Sequence, residues 1–313
     1  MGLKVVAPTR PTPLERLVED YLASCRARGL SPRTVREGYG YPLREVLLPF
    51  CTEQGISEPA LLDRIVLDRL TSRLLDEGGR RGKLSKFTVA SYVRAINVFL
   101  SWAHREGEVG AIRAQSPKTG RKLVDVLSRD EISRLEDAAQ TERDRLIVRL
   151  LADTGIRVSE LTGIRVTDLV DRERHSYLRI RGKGERQRLV PLLPQLGRRV
   201  RRFAQRGRST DTDSDSMFLA LRRRLGEGYA PLTRTGVVQL LRVLADRARV
   251  DKRVHPHLLR HSFATYSLTR GMNPVQLAQI LGHSSLAMIH NVYAHLTPQD
   301  SYEALLRALT DED

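Results

Sequence analysis

Between His255 and Tyr293 the chain reads His255-Pro256-His257-Leu258-Leu259-Arg260-His261, then Leu281-Gly282-His283, then Asn291-Val292-Tyr293-Ala294-His295. No other stretch restricts the possible folds as strongly, because its polar groups act only when brought to one point. It offers imidazoles at His257 and His283, a guanidinium at Arg260 and a phenol at Tyr293. His257 and Arg260 are three apart, so on a helix they share a face. A permanent cation beside imidazoles suits an anionic oxygen, and a phenol can serve as nucleophile. The combination points to attack on a phosphodiester.

Six of the eight histidines lie between 255 and 295. His257 and His261, four apart, have the spacing of a helical zinc pair. The segment 252–299 contains no cysteine, aspartate or glutamate, so a third ligand is missing locally and no metal is expected. His261 is read as structural, and His255, His290 and His295 receive no role.

At 313 residues the chain is long enough for two domains, each with its own core. Its net charge of +16 favours a polyanionic partner. Nucleic acid ranks ahead of membrane, because no long basic amphipathic anchor is present. No run approaches the ~18 apolar residues that span a bilayer. Residues 1–13 carry three prolines and no apolar core, unlike a signal peptide. Cys25 and Cys51 lie in apolar-patterned stretches without motif spacing, as core thiols of a reducing compartment do. A cytoplasmic protein is expected. Of 53 basic residues only 7 are lysine, and beyond position 122 only Lys183 and Lys252 remain. A lysine kept at 183 fits a need arginine cannot meet, such as a proton that can leave; chance retention is the plain alternative.

In chain order, residues 14–28 read as an amphipathic helix ended by Gly29. Ser31-Pro32 is an N-cap followed by proline at the first helical position, and that helix runs to about 53, with Gly38, Gly40 and Pro42 disturbing its middle. A third pattern covers 58–76, Gly78–Gly82 is a basic turn, and Ser85 caps a helix to about 105. Together these make a helical domain over 14–108, preceded by a tail at 1–13. Residues 109–127 lack periodicity and read as a basic linker. A second domain spans 128–300, followed by a tail at 301–313.

The second domain opens with the capping box Ser128-Arg-Asp-Glu131. A buried helix over 141–153 ends at Gly155, and Arg157 then starts a short helix with Glu160 three residues on, able to brace it. Tyr177 to Leu192 alternates around Gly182-Lys183-Gly184, as a β-hairpin does. No P-loop pattern is present. Ser209 to Ser216 reads as an acidic, disordered loop. Thr233 caps a helix over 234–248 that carries arginine on one side, and helices follow over 257–270, near 274–281 and from about 285. Tyr302, Leu305, Leu306 and Leu309 form an apolar C-terminal face.

His257-x-x-Arg260, Leu281-Gly282-His283 and Tyr293 resemble the signature of the tyrosine recombinases, the phage integrase family. Asp153-Thr-Gly-Ile-Arg157-Val-Ser-Glu160-Leu161 resembles that family's first arginine motif, and Arg179-Ile-Arg-Gly-Lys183-Gly-Glu-Arg its lysine hairpin. The order and spacing of this set span about half the chain, and the likeness extends more loosely over the N-terminal helices. Tyr293 follows His283 by ten residues where many members have nine; a turn at Ser284-Ser285 is expected to absorb the extra residue.

The resemblance implies a mainly α fold with a small β-sheet in the C-terminal domain: a two-domain DNA clamp made of a helical core-binding domain and a catalytic domain. It implies that Tyr293 attacks the scissile phosphate, releases a 5′-hydroxyl and forms a 3′-phosphotyrosyl link. Arg157 and Arg260 would clamp the non-bridging oxygens, with Glu160 as a brace behind them. Lys183 would protonate the leaving oxygen, His257 would take the phenol's proton and His283 would hydrogen-bond the phosphate. Tyr266 and Tyr302 are rival phenols that read as helix-core positions. No cofactor or metal is implied, and the partner is double-stranded DNA. A homotetramer on two DNA sites is implied, with or without a related recombinase, and the face at 302–309 is read as docking on a neighbouring protomer or in cis. No additional N-terminal domain for arm-type sites is expected. A type IB topoisomerase-like relaxing enzyme and a non-catalytic DNA-binding accessory protein are the alternatives.

Overall fold

A computed structural model describes residues 10–79, 82–120, 125–182, 187–224, 226 and 228–282. The chain divides into two compact units, residues 1–121 and 122–313. Each has its own hydrophobic core.

In the first unit, α1 (Pro13–Ala27) starts at a capping box in which Thr12 and Glu15 satisfy each other's backbone N–H groups. Leu14, Leu17, Val18, Tyr21, Leu22 and Cys25 recur at helical spacing and are all buried. Gly29, at φ +73°, lets the chain turn. The Ser31 hydroxyl then accepts the Thr34 N–H. Residues 32–53 are helical throughout, but Thr34–Gly40 and Pro42–Leu47 are π-helical before α2 (Leu48–Glu53). Pro42 has no N–H for an i→i−4 bond, and a wider turn keeps the neighbouring carbonyls bonded without breaking the helix. α3 (Arg64–Asp76) is capped by Asp63, and α4 (Lys86–Arg105) by Ser85. The Tyr21 ring meets Phe99 at 5.5 Å and Tyr39 at 5.7 Å, edge to face, at the centre of this core. Both cysteines are buried here, and burial pushes the Cys51 thiol up to about 11.

The stretch read as a linker begins as part of this unit. Val109 and Ala114 are buried, and the Asn97 side chain donates to the Ala114 carbonyl (3.0 Å) and accepts its N–H (2.8 Å). One amide thereby replaces the backbone partners an irregular segment lacks.

The second unit begins with α5 (Arg129–Asp137), capped by Ser128 and Glu131 as their spacing predicts. α6 (Glu142–Thr154) crosses the core with Leu146, Ile147, Val148, Leu150 and Leu151 buried. It ends at Gly155, φ +61°, and α7 (Val158–Leu161) follows at once. β1 (Leu169–Arg172), β2 (His175–Arg181) and β3 (Gln187–Leu192) form an antiparallel sheet in that order, with Ile180 opposite Arg188. The hairpin is where the alternation puts it; β1, only four residues long, carries no such pattern. α8 (Pro194–Arg202), a two-stranded sheet of β4 (Leu219–Arg224) and β5 (Gly228–Pro231), α9 (Arg234–Arg247), α10 (Pro256–Thr269) and α11 (Pro274–Leu281) complete the described chain. The fold is mainly helical with small antiparallel sheets, as the resemblance implies.

Two expectations fail. Ser209–Ser216 is a structured loop, since the Arg208 guanidinium donates to the carbonyls of Ser209, Ser214 and Ser216, and Thr212 donates to Tyr229 O at 2.6 Å. Its acidic, polar composition hid an arginine placed beside it to collect its carbonyls. Tyr266 is half-buried rather than a core residue: Arg129 lies 3.9 Å and Arg270 5.1 Å from its ring centroid, so the ring serves as a platform for two cations. The expected helix from 285 and the apolar face of Tyr302, Leu305, Leu306 and Leu309 lie outside the described residues.

Gly155 joins this packing to the site. A Cβ there would stand 2.5 Å from Phe263 Cδ1 and 2.7 Å from Leu281 Cδ2, at a φ that L side chains rarely adopt. Gly155→Ala is expected to cost about 1–3 kcal/mol. Urea unfolding of the variant beside the parent measures this, and an unchanged midpoint would refute it.

Candidate active site

Arg157 is the residue before α7, held there by its own helix. Its backbone N–H donates to Glu160 Oε2 at 2.8 Å and its Nη1 to Glu160 Oε1 at 2.9 Å. The pairing foreseen for these two residues is present, but it is not a surface contact, because the Glu160 side chain is only 4% exposed. Burial therefore makes its charge depend on partners.

The second partner is Arg188, on β3, a residue that sequence reasoning missed. It grips the same carboxylate with two parallel bonds, Nη1 to Oε1 and Nη2 to Oε2, both 2.9 Å, and its Nε donates to Ile280 O at 2.7 Å. Nothing in the local pattern separates Arg188 from its neighbouring arginines, and its partner is 28 positions away. The only available signal was an arginine within the alternating run that returns from Gly182-Lys183-Gly184.

Arg260 approaches from α10. Its Nη1 donates to Gly155 O at 2.5 Å and its Nη2 to Leu281 O at 2.8 Å. Arg157 Nη1 reaches the same Leu281 carbonyl at 3.4 Å, and Arg157 Nη2 reaches Gly282 O at 3.4 Å. Two guanidiniums from distant parts of the chain thus converge on the end of α11. Gly282, at φ +65°, ends that helix in the left-handed region, and a Cβ there would lie 2.8 Å from Arg188 Nη1. The glycine lets the backbone pass directly over the guanidinium.

Three guanidiniums surround one carboxylate, so the cluster keeps an excess of positive charge. Burial opposes ionisation of Glu160, but Arg188, the Arg157 N–H and the Arg157 side chain together hold it below the ordinary carboxylate range. Burial, then the nearby Arg157 charge, pushes Arg260 down to about 10, so it remains cationic at neutral pH. A buried cation under that pressure is stabilised by an anion placed against it.

His257 lies on α10 three residues before Arg260 and is exposed. His255, given no role from sequence, is the N-cap of α10: its Nδ1 accepts the Leu258 N–H at 3.1 Å. Tyr266 lies about 120° round the helix from Arg260. Lys252 is a structural tie, donating to Val126 O and Glu131 Oε2, both at 2.8 Å. Lys183, His283, His290, Tyr293, His295 and Tyr302 lie outside the described residues. In sequence, Lys183 belongs to the connection between β2 and β3, and His283 follows Gly282 directly. Among the described residues, no helix is long and apolar enough to cross a membrane.

The described framework sets a paired arginine before a short helix, a second arginine on α10 and an arginine of the returning strand around one buried carboxylate and the end of α11. The phage integrase family model matches residues 125–300. A tyrosine recombinase XerD of Bifidobacterium longum is 30% identical over 303 residues, spanning 93% of this chain and 96% of that protein. The XerD of Staphylococcus haemolyticus is 30% identical over 296 residues, spanning 91% and 95%. The crystal structure of the XerH site-specific recombinase bound to a palindromic difH substrate, a post-cleavage complex, shares the fold at a TM-score of 0.75 and 19% identity, covering 95% of this chain and 97% of that one. The chain belongs to the phage integrase family, the tyrosine recombinases.

The paired carboxylate has a consequence for stability. Its folded pKa is depressed, so its contribution is complete above the unfolded value of about 4.3 and is lost as pH falls through the lower folded value. Glu160→Gln is expected to lose about 3 kcal/mol at neutral pH. The gap to the parent should narrow in acid. Urea midpoints of both proteins across pH test this; a gap that stays constant into strong acid would contradict it.

Proposed function

We propose that this chain is a site-specific DNA recombinase that cuts and rejoins duplex DNA through a 3′-phosphotyrosyl intermediate, without ATP or metal. The observation that carries the reading is the convergence of Arg157 and Arg260 on the Leu281 carbonyl, backed by the buried Glu160. Two fixed cations side by side match the non-bridging oxygens of a phosphodiester, where charge accumulates as the fifth bond forms. Arg157 is held by Glu160 and two backbone carbonyls and Arg260 by two backbone carbonyls, so little reorganisation accompanies the reaction.

In this reading the Tyr293 oxygen bonds to phosphorus while the bond to the 5′-oxygen breaks. His257 takes the phenol's proton, which an unperturbed pKa of about 10 would otherwise retain. Lys183 gives a proton to the departing 5′-oxygen, and His283 hydrogen-bonds the phosphate. The tyrosyl ester preserves the phosphodiester's energy, so a 5′-hydroxyl reverses the step and reseals either the original strand or a new partner.

Double-stranded DNA is the substrate, and the net charge of +16 fits binding dominated by phosphates and weakened by salt. The exposed face of α9, with Arg234, Gln239 and Arg242, suits contact with backbone and base edges. The enzyme acts in the cytoplasm as a homotetramer on two sites, with a related recombinase as an alternative partner. Counting protomers on cleaved DNA distinguishes this from a monomeric relaxing enzyme.

Sequencing DNA trapped as covalent adduct identifies the site, and a nicked suicide duplex carrying that site gives the rate. The 313-residue chain is expected to form a detergent-stable adduct that persists in EDTA and disappears in Tyr293→Phe. Arg157→Ala and Arg260→Ala should each slow adduct formation about 10²–10³-fold. An adduct surviving Tyr293→Phe, or one abolished by EDTA, would overturn the mechanism.

A further inference from the structure

Among the described residues, Arg188 is the side chain that joins the returning strand of the hairpin, the buried carboxylate and the last turn of α11. Its Nη1 and Nη2 bind the two Glu160 oxygens, and its Nε binds Ile280 O. The side chain is 15% exposed, so these contacts form out of bulk water, where a two-pronged guanidinium pair is strong and directional. The facing strand is held separately: Arg181, at the end of β2, makes a bidentate pair with the buried Asp168, at 2.8 and 2.7 Å. The strands on either side of the Lys183 connection are therefore each fixed by an arginine–carboxylate fork. Of the two forks, only that of Arg188 also touches the elements that carry Arg157 and precede His283.

We propose that Arg188 is a positioning residue for strand cleavage: through Glu160 it orients the Arg157 guanidinium, and through Ile280 it sets the turn at Gly282 against the hairpin that contains Lys183. Arg188 bears on the phosphate only through these groups. Lysine cannot substitute fully, since one ammonium cannot reach both carboxylate oxygens and the Ile280 carbonyl in the same plane. The Gly282 backbone crosses so close to the guanidinium that the two positions are sterically matched.

The inference rests on the recombinase reading, and one experiment separates the two. Adduct formation on the nicked duplex is followed in single turnover, across pH, for the parent chain, Arg188→Ala, Arg188→Lys and Arg188→Ala with Glu160→Gln. DNA affinity and the unfolding midpoint are measured for each. Arg188→Ala is expected to cleave about 10²-fold more slowly, as misplacement of a reacting group produces, with DNA affinity unchanged. Arg188→Lys should fall between.

The pH profile reports the positioning role itself. Among the described residues, the charged groups facing Glu160 are Arg157 beside α7, Arg188 from β3 and Arg260 from α10; α11 contributes only carbonyls. With Arg188 gone, burial dominates and the Glu160 pKa rises above about 4.3. Cleavage by Arg188→Ala should then acquire an acid limb additional to the one the His257 base gives every variant, and the double variant should lose that addition. Rates are compared only at pH values where the unfolding measurement shows each variant folded, so that the profile reports the site and not the folded fraction. A parent that forms no adduct would refute the recombinase reading. Parent-like cleavage in Arg188→Ala would refute this inference alone, as would a slowed rate with an unaltered pH profile.

Discussion

A carboxylate kept out of water at Glu160 is the constraint from which the rest of this site follows. Burying an unpaired carboxylate costs several kcal/mol, so the fold can tolerate it only with cations in direct contact. Arg188 supplies a two-pronged pair and Arg157 both a backbone N–H and a guanidinium hydrogen. The residue that anchors Arg157 is thus itself anchored by an arginine on another element. Removing any member leaves a buried charge short of its partner, which ties the stability of the domain to the integrity of the site.

The end of α11 is the second half of the arrangement. The last carbonyls of a helix have no partner within it and carry partial negative charge. Here the carbonyls of Ile280, Leu281 and Gly282 are taken by Arg188, by Arg157 and Arg260 together, and by Arg157. Carbonyl dipoles hold like-charged guanidiniums next to one another without cancelling their charge. Had carboxylates done the same work, the cluster would be neutral and would offer nothing to a phosphate. One carboxylate among three guanidiniums is enough to order the site and leave it cationic.

The same use of arginine recurs through the domain. Arg181 grips Asp168, Arg208 gathers the carbonyls of the Ser209–Ser216 loop, and Arg129 and Arg270 flank Tyr266. Arg181 and Arg208 each satisfy several acceptors with one flat, multiply donating cation, and at Tyr266 two guanidiniums share one ring. The scarcity of lysine belongs with this habit. Lys252 fills a structural position where one ammonium meets one carbonyl and one carboxylate, so the lysine at 183 stands out less by rarity than by its place between β2 and β3.

Local patterns determined much of this by themselves. The caps at Ser85, Ser128 and Thr233, the buried stripe of α6, the β2–β3 alternation and the Arg157–Glu160 spacing are all contacts within a few residues, and a one-dimensional reading captures them. The family motifs added the order of the reactive groups. Other features were decided by tertiary structure alone: Arg188 on Glu160, Asn97 on Ala114, Arg208 on its loop, and the half-buried Tyr266 between two cations. What separates the two sets is how partners are specified. A helix or a cap is written by residues that are already neighbours, whereas a buried ion finds its counter-ion only after the chain has packed, and an arginine looks the same in sequence whether it ends in solvent or closes over a carboxylate from another strand.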